Sequence, residues 1–297
     1  MDRLIGVLLV ALSAACFGTN AIFARMAYDT GTNPGTFLFI RFLIASPVML
    51  IIMMARGRTI PRGKLLISLV LIGGIGLAGT TFCFYTAIQL APVNLVIVIA
   101  YMYPTIVTLL SAAFLRQPIT SYKIAALLMT FVGILFIIGL DSGGYFLGII
   151  LAIIAAIFYS LYLIFGSLSI QRAGPFSAST VIILSSMAIF GIVVGVQGPQ
   201  LPAAVSGWVA IVASALISTV LGLVVFFAGL KRIDTANAAI ISTLEVVVAV
   251  ALAIVILGET ISWPKIIGGC LIISAVVLLA KSEHEAVQAK ISQPLAP

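Results

Sequence analysis

Of the 297 residues, 63% are hydrophobic and only 8% are charged, against roughly 25% charged in an average soluble domain. So few charges exclude a soluble globule and specify an all-α polytopic membrane protein. The net charge of +7 would suit a nucleic-acid partner only if Lys and Arg clustered on one face beside stacking aromatics; here they sit between apolar runs, which is membrane topology, and no nucleic-acid partner is expected.

Ten apolar runs follow one another: 4–27, 34–55, 65–90, 93–115, 120–140, 144–167, 175–197, 204–230, 235–257 and 262–281. At about 1.5 Å of rise per residue, each is long enough to cross a hydrocarbon core of roughly 30 Å. The first run contains Ser13-Ala14-Ala15-Cys16, similar to a signal-peptidase box, but its apolar stretch continues to Phe23, so it is read as a span. Short links separate the runs, with turn punctuation at 31–35, 141–144, 173–175 and 198–202, and none is long enough for a soluble domain. Cys16, Cys83 and Cys270 lie inside apolar runs without CxxC spacing and read as small buried hydrophobes. Residues 282–297 are polar, end in proline, and are expected to form a disordered cytoplasmic tail.

Basic residues orient the chain. With the N-terminus inside, twelve of the fifteen Lys and Arg fall on the cytoplasmic side: Arg3, Arg56, Arg58, Arg62, Lys64, Arg116, Lys123, Arg172, Lys231, Arg232, Lys281 and Lys290. Arg25, Arg41 and Lys265 fall toward the other. Both termini are therefore expected in the cytoplasm, as an even number of spans requires.

Sliding the chain by 142 residues lays Leu115, Ile119, Lys123 and Ile124 on Leu257, Ile261, Lys265 and Ile266, and Tyr85 on Phe227; an offset of 141 lays 14–17 on 155–158. The expected units are residues 4–140 and 144–281. A unit of five helices begins on one side and ends on the other, so its second copy must insert upside down. Ten transmembrane helices in two inverted-topology five-helix repeats are an architecture of transporters, with the substrate site near the midplane between the copies.

The ninth run, TANAAIISTLEVVVAVALAIVIL, holds one charge near its middle, Glu245. A carboxylate at that depth costs about 2.5–3.5 kcal/mol on insertion scales, so it faces a cavity or a polar partner on another helix rather than lipid. Arg41, about two turns into the second run, is expected to snorkel to the outer surface, with pairing to an acidic group as the alternative.

The segment Ile241-Ser-Thr-Leu-Glu245-Val-Val-Val-Ala, followed by Leu257-Gly258-Glu259-Thr260, resembles the drug/metabolite transporter superfamily in its ten-helix form with two EamA domains. Members typically show L-E-P-x-x-A and then L-G-E there. Val246 stands at the usual proline, whereas the first repeat keeps Pro104 at the aligned position and has Arg116-Gln117 in place of G-E. Arg41-Phe-Leu-Ile-Ala45 and the small-residue third run, Gly73-Gly74-Ile-Gly76-Leu-Ala-Gly79, are similar to the family as well. The likeness covers essentially residues 4–281 and is closest to bacterial inner-membrane exporters of aromatic and other neutral amino acids. It implies export of amino acids or similar small metabolites by alternating access; a multidrug exporter and a channel-like facilitator are the alternatives.

Polar and aromatic side chains recur at mid-depth. Asn20 and Thr19 stand in the first run, Thr80, Thr81 and Tyr85 in the third, and Tyr101 and Tyr103 in the fourth. Tyr159, Ser160 and Tyr162 stand in the sixth, Ser218 and Thr219 in the eighth, and Ser242, Thr243 and Glu245 in the ninth. The candidate binding residues are Asn20, Thr81, Tyr85, Tyr101, Tyr103, Tyr159, Ser160, Tyr162, Ser242 and Glu245. They imply a cavity lined by helices one, three, four, six, eight and nine, whose tyrosines each offer an apolar ring with a hydrogen-bonding tip. Helices five and ten are almost wholly aliphatic and are expected outside, facing lipid or a second copy; monomer and homodimer both remain open. The absence of deep cations beyond Arg41 counts against phosphorylated substrates. The only histidine is His284, and HExxH, GxSxG, Walker A and metal-ligand spacings are missing, so neither an enzyme, a metal site nor a cofactor is expected. Glu245 is the candidate to carry a proton through the cycle, with facilitated export as the alternative.

Overall fold

The computed structural model describes residues 2–91, 93–138, 145–257 and 263–291. Among the described residues every element is helical. Ten rods result: α1 (Asp2–Tyr28); α2 (Pro34–Ala55); α3 (Lys64–Leu71, a π-helical stretch Ile72–Leu77, then Ala78–Leu90); α4 (Val93–Ala100 and Tyr103–Leu115); and α5 (Ser121–Ile138). The second half repeats the series: α6 (Phe146–Ala173); α7 (Pro175–Gln197); α8 (Val205–Ala213, a π-helical stretch Ser214–Leu221, then Gly222–Leu230); α9 (Thr235–Ser242 and Leu244–Leu257); and α10 (Trp263–Ile291). Seven are long and apolar enough to cross a membrane, and α4, α5 and α10 contain shorter apolar helices. The last helix continues through Ile291, into the stretch 282–297 that is expected to be a tail.

The rods pack as a symmetric pair of halves. α1 lies against α8 and α9, and α6 lies against α3 and α4; α2 meets α8, and α7 meets α3. Exchanging each helix with the one five places later turns every one of these pairs into another. The pairs α2–α7, α4–α9 and α5–α10 are their own images and lie along the pseudo-twofold. These are two inverted repeats of five helices.

The interruptions obey the same offset. Moving the π-helical stretch that begins at Ile72 by 142 residues lands on Ser214, where the second one begins, and moving the break at Tyr101 by 142 lands on the break at Thr243. In α4 the cause is Pro104, whose ring would clash with the carbonyl four residues back in a continuous helix; it sits instead in the first turn of a new segment, where its missing N–H is harmless. In α9 the aligned residue is Val246, and the break persists by another route. The Thr243 hydroxyl donates to the Ile240 carbonyl at 2.6 Å, and 3₁₀-type bonds run from Thr243 N to Ile240 O and from Val246 N to Thr243 O. Such back-bonding bends a helix without proline.

The packing logic is that of a bilayer. The buried face of α6 includes Gly148, Ala152, Ala155, Ala156, Ser160, Gly166 and Ser167, whereas Leu, Ile and Phe side chains such as Leu8, Ile51, Phe114 and Phe146 point outward. Lipid solvates Leu as well as a core does, so close backbone approach and interhelical hydrogen bonds must hold the bundle. At Gly73 a Cβ would overlap Ser185 Oγ and the Ile182 carbonyl of α7, and Ser186 Oγ donates to Gly73 O at 3.1 Å. Ser13 Oγ likewise donates to Gly222 O at 2.8 Å, joining α1 to α8. At Gly133 a Cβ would lie 2.7 Å from the Gly268 carbonyl, so α5 and α10 pack closely on each other while Leu128 and Val277 face outward.

Candidate functional site

A cavity of about 250 Å³ opens between the halves. Seven helices line it: α1 with Phe17 and Asn20, α2 with Arg41 and Phe42, α3 with Leu77, Thr80, Thr81 and Phe84, and α4 with Ala100, Tyr101 and Tyr103. α6 adds Ala155, Ala156, Tyr159 and Tyr162; α8 adds Ser218, Thr219, Leu223 and Phe226; and α9 adds Glu245. The interruptions of α3, α4, α8 and α9 all lie at or next to this wall. A break or a π-helical turn re-aims side chains that a straight helix would direct elsewhere.

The polar residues form a chain across three helices. Arg41 Nη1 donates to Asn20 Oδ1 at 2.7 Å, and Ser214 Oγ donates to the same oxygen at 2.7 Å, so the amide binds α2 and α8 to α1. One residue back along α1 and one turn further along α8, the Thr19 and Ser218 hydroxyls meet at 3.0 Å. The Arg41 guanidinium lies 4.8 Å from the Phe42 ring centroid and 5.7 Å from that of Phe37. Cation–π contacts and the Asn20 bond hold it at the cavity, so the expected snorkelling to the surface does not occur. Its partner is an amide on the neighbouring helix, at a depth its own helix cannot reveal.

The aromatic wall is continuous. Tyr103 stands edge-on to Tyr159 with centroids 4.7 Å apart, Tyr159 stacks on Tyr162 at 5.6 Å, and Tyr101 lies 6.0 Å from Tyr103. Tyr162, Phe227, Phe226 and Phe17 extend the row to α8 and α1. The buried Tyr103 hydroxyl donates to Ala239 O at 3.1 Å, joining the two halves through α4 and α9. Glu245 is half-buried and faces the cavity, with no hydrogen bond or ion pair to another described residue.

Of the residues expected at the site, Asn20, Thr81, Tyr101, Tyr103, Tyr159, Tyr162 and Glu245 line the cavity. Ser160 and Ser242 do not. Both are buried, and each hydroxyl donates to a carbonyl four residues back in its own helix, Ala156 at 2.7 Å and Ala238 at 2.8 Å. A serine inside an apolar helix satisfies itself this way, and composition alone cannot say which way it turns. Tyr85 lies on α3, and its side chain is outside the described residues, as are Gly258, Glu259 and Thr260. α2 is an added wall. Arg41 and Phe42 line the cavity without a sequence signal for it, because a cation seven residues into a span reads equally well as an interfacial anchor.

The model of the EamA-like transporter family matches residues 4–139 and again 146–281. The uncharacterized transporter YcbK of Bacillus subtilis is 22% identical over 282 residues, 89% of this chain and 88% of its own length. The threonine/homoserine exporter RhtA of Salmonella typhimurium is 26% identical over 208 residues, 68% of this chain and 67% of its own. A solved crystal structure superposes with a TM-score of 0.80 at 22% identity, covering 93% of this chain and 98% of the other, a likeness of fold.

Proposed function

The chain belongs to the EamA-like transporter family, and on that premise we propose that it exports neutral amino acids across a bacterial inner membrane by alternating access. One observation carries the substrate class. Arg41 and Glu245 are the only charged side chains among the described residues lining the cavity, and apart from the Asn20 amide the rest of that wall is aromatic, aliphatic or hydroxylic. A zwitterion complements that pair: guanidinium toward carboxylate, carboxylate toward ammonium, apolar side chain against the tyrosines. A free cation or a phosphate would meet one favourable and one repulsive group. The volume, about 250 Å³, lies just below the roughly 300–1,000 Å³ typical of ligand pockets, which favours a small metabolite over a bulky dye. The likeness to a threonine/homoserine exporter supports the same class.

The mechanism follows from the halves. With both termini in the cytoplasm, the cavity draws on the outer parts of α1, α2 and α3 and on the inner part of α8, and so sits near the midplane. Below it, all eight residues of the first α9 segment, Thr235–Ser242, are buried and seal the cytoplasmic side. Rocking the repeats about the midplane would expose the cavity to each side of the membrane in turn. Glu245 releases its proton or its bound ammonium as the site changes sides.

Counterflow in proteoliposomes with labelled threonine, phenylalanine and methionine, beside a phosphorylated metabolite and a cationic dye, tests the proposal. Saturable, self-exchanging amino-acid flux is the expected result. Dye flux without amino-acid flux would overturn the substrate class, and non-saturable flux would replace the transporter by a channel.

A further inference from the structure

A second cavity, about 400 Å³, lies on the basic face, away from the transport site. Arg56 and Arg58 reach it from the α2–α3 connection, Arg172 from the end of α6, and Lys231 from the end of α8, around Phe176 and Ser177 at the start of α7. The topology rule requires these cations to share a face of the membrane. It does not require four of them, from three separate connections, to converge on one concavity.

Among the described residues no acidic side chain lines this cavity, and the ion pairs Arg25–Asp29 and Lys123–Asp234 lie elsewhere. Among the described residues no acidic group offsets the mutual repulsion of the four cations, so an anion bound there would meet an uncompensated positive field. The cavity is also built to receive one. The Arg56 guanidinium is held 5.0 Å from the Phe176 ring centroid. The 23-residue α7 starts here with Gly174 as its N-cap and no side-chain cap. Ser177 Oγ turns away to donate to the Thr59 carbonyl at 3.0 Å. Pro175 takes the first position and has no N–H, so the first turn contributes the N–H groups of Phe176 and Ser177, residues that line the same cavity as the cations, and the helix dipole adds to their field.

We propose that this cavity binds the phosphate of an anionic phospholipid headgroup. Three guanidinium forks, an ammonium and helix-terminal N–H groups suit an oxyanion with several acceptor oxygens. A lipid is favoured over a soluble phosphate by the surface that leads to the cavity. In the turns before Arg56, Ile51 and Met54 are exposed, and in those before Arg172, Phe165 and Leu168 are exposed. They form apolar walls along which acyl chains lie while the headgroup enters the basic cavity, the arrangement by which cationic pockets between helix ends take anionic lipids. Because the first repeat supplies Arg56 and Arg58 and the second supplies Arg172 and Lys231, the lipid bridges both halves on the cytoplasmic side.

The test is native mass spectrometry of the full chain in mild detergent, titrated with phosphatidylglycerol, phosphatidylcholine or inorganic phosphate. Wild type, Arg58→Gln/Arg172→Gln and the charge-keeping Arg58→Lys/Arg172→Lys are compared, with equal melting temperatures in lipid-free detergent as the folding control. The expected result is retention of phosphatidylglycerol over phosphatidylcholine, reduced at least ten-fold in the Gln pair and largely kept in the Lys pair. Equal retention by wild type and the Gln pair would overturn the site. Displacement of phosphatidylglycerol by millimolar inorganic phosphate would overturn the lipid in favour of a soluble phosphate. Should the Gln pair misfold, Arg56→Gln alone, which leaves three cations in place, is expected to lower retention several-fold, and no change would count equally against the proposal.

Discussion

The two repeats share a scaffold and divide the chemistry. Their helices pair as mirror partners, and their π-helical stretches and breaks fall at one offset, yet symmetric positions carry different groups. Tyr103 in α4 corresponds to Glu245 in α9, since 103 plus 142 is 245. Arg41 in α2 corresponds to Ile182 or Ile183 in α7, whichever of the two offsets is used. The same division holds at the helix ends around Lys123 and Asp234. Buried Lys123 Nζ lies 3.0 Å from Asp234 and 2.9 Å from the Pro118 carbonyl, tying α5 to the α8–α9 turn. The symmetric counterparts are Lys265 and Pro92, and proline cannot complete an ion pair. Symmetry thus supplies a shared scaffold, while asymmetry places the charged pair Arg41 and Glu245 at the cavity and ties α5 to the α8–α9 turn through Lys123 and Asp234.

The largest effect is expected where the asymmetry bears on substrate. Glu245→Gln removes the charge at the site and keeps its shape, so transport kcat/KM should fall about 100-fold, corresponding to about 3 kcal/mol for losing one partner of a desolvated charge pair. Moving the carboxylate to the symmetric position with Tyr103→Glu in that background should not restore transport, because Tyr103 is buried and bonded to Ala239. Recovery would show that the two positions are interchangeable.

Next comes the tie between α5 and the α8–α9 turn. Asp234→Asn leaves the Lys123 ammonium, whose side chain is 4% exposed, without its counter-charge. Breaking a buried pair from one side costs about 3 kcal/mol, which should appear as a clear drop in melting temperature in detergent. Lys123→Met/Asp234→Leu should recover most of it, since removing both charges together leaves nothing unpaired.

A smaller effect separates the two ways of breaking a helix. Thr243→Val keeps the side-chain shape and removes a hydrogen bond of about 1 kcal/mol, so transport should fall about five-fold. Adding Val246→Pro gives α9 the device that α4 uses, and the double variant should return to within two-fold of wild type. Val246→Pro alone should have the smallest effect of all, within two-fold in the same flux assay. A large loss there would mean that the two breaks are not equivalent.

Much of this was legible in the residues. The ten spans and the 142-residue offset follow from apolar runs too long for anything but a bilayer, and the depth of Glu245 follows from its place in the ninth run. What sequence could not supply was direction around each helix. Ser160 and Ser242 share composition and depth with cavity residues, yet both turn back onto their own carbonyls. Arg41 looked like an anchor because its partner, Asn20, lies on another helix 21 residues away. The break at Thr243 was hidden for a similar reason: Val246 lacks the proline that marks its counterpart, and a threonine hydroxyl does not announce whether it bends its helix.

The most direct test of a zwitterion held between Arg41 and Glu245 is counterflow with blocked analogues. Proteoliposomes loaded with unlabelled threonine would be challenged with labelled threonine in the presence of free phenylalanine, its methyl ester or its N-acetyl derivative. Free phenylalanine should compete. The ester lacks the carboxylate and the N-acetyl compound lacks the ammonium, and each should compete at least ten-fold more weakly. In Arg41→Gln the ester should close most of its gap to the free amino acid, and in Glu245→Gln the N-acetyl compound should do so. Equal competition by all three against the wild type would contradict recognition of both charges and leave the cavity without its proposed substrate class.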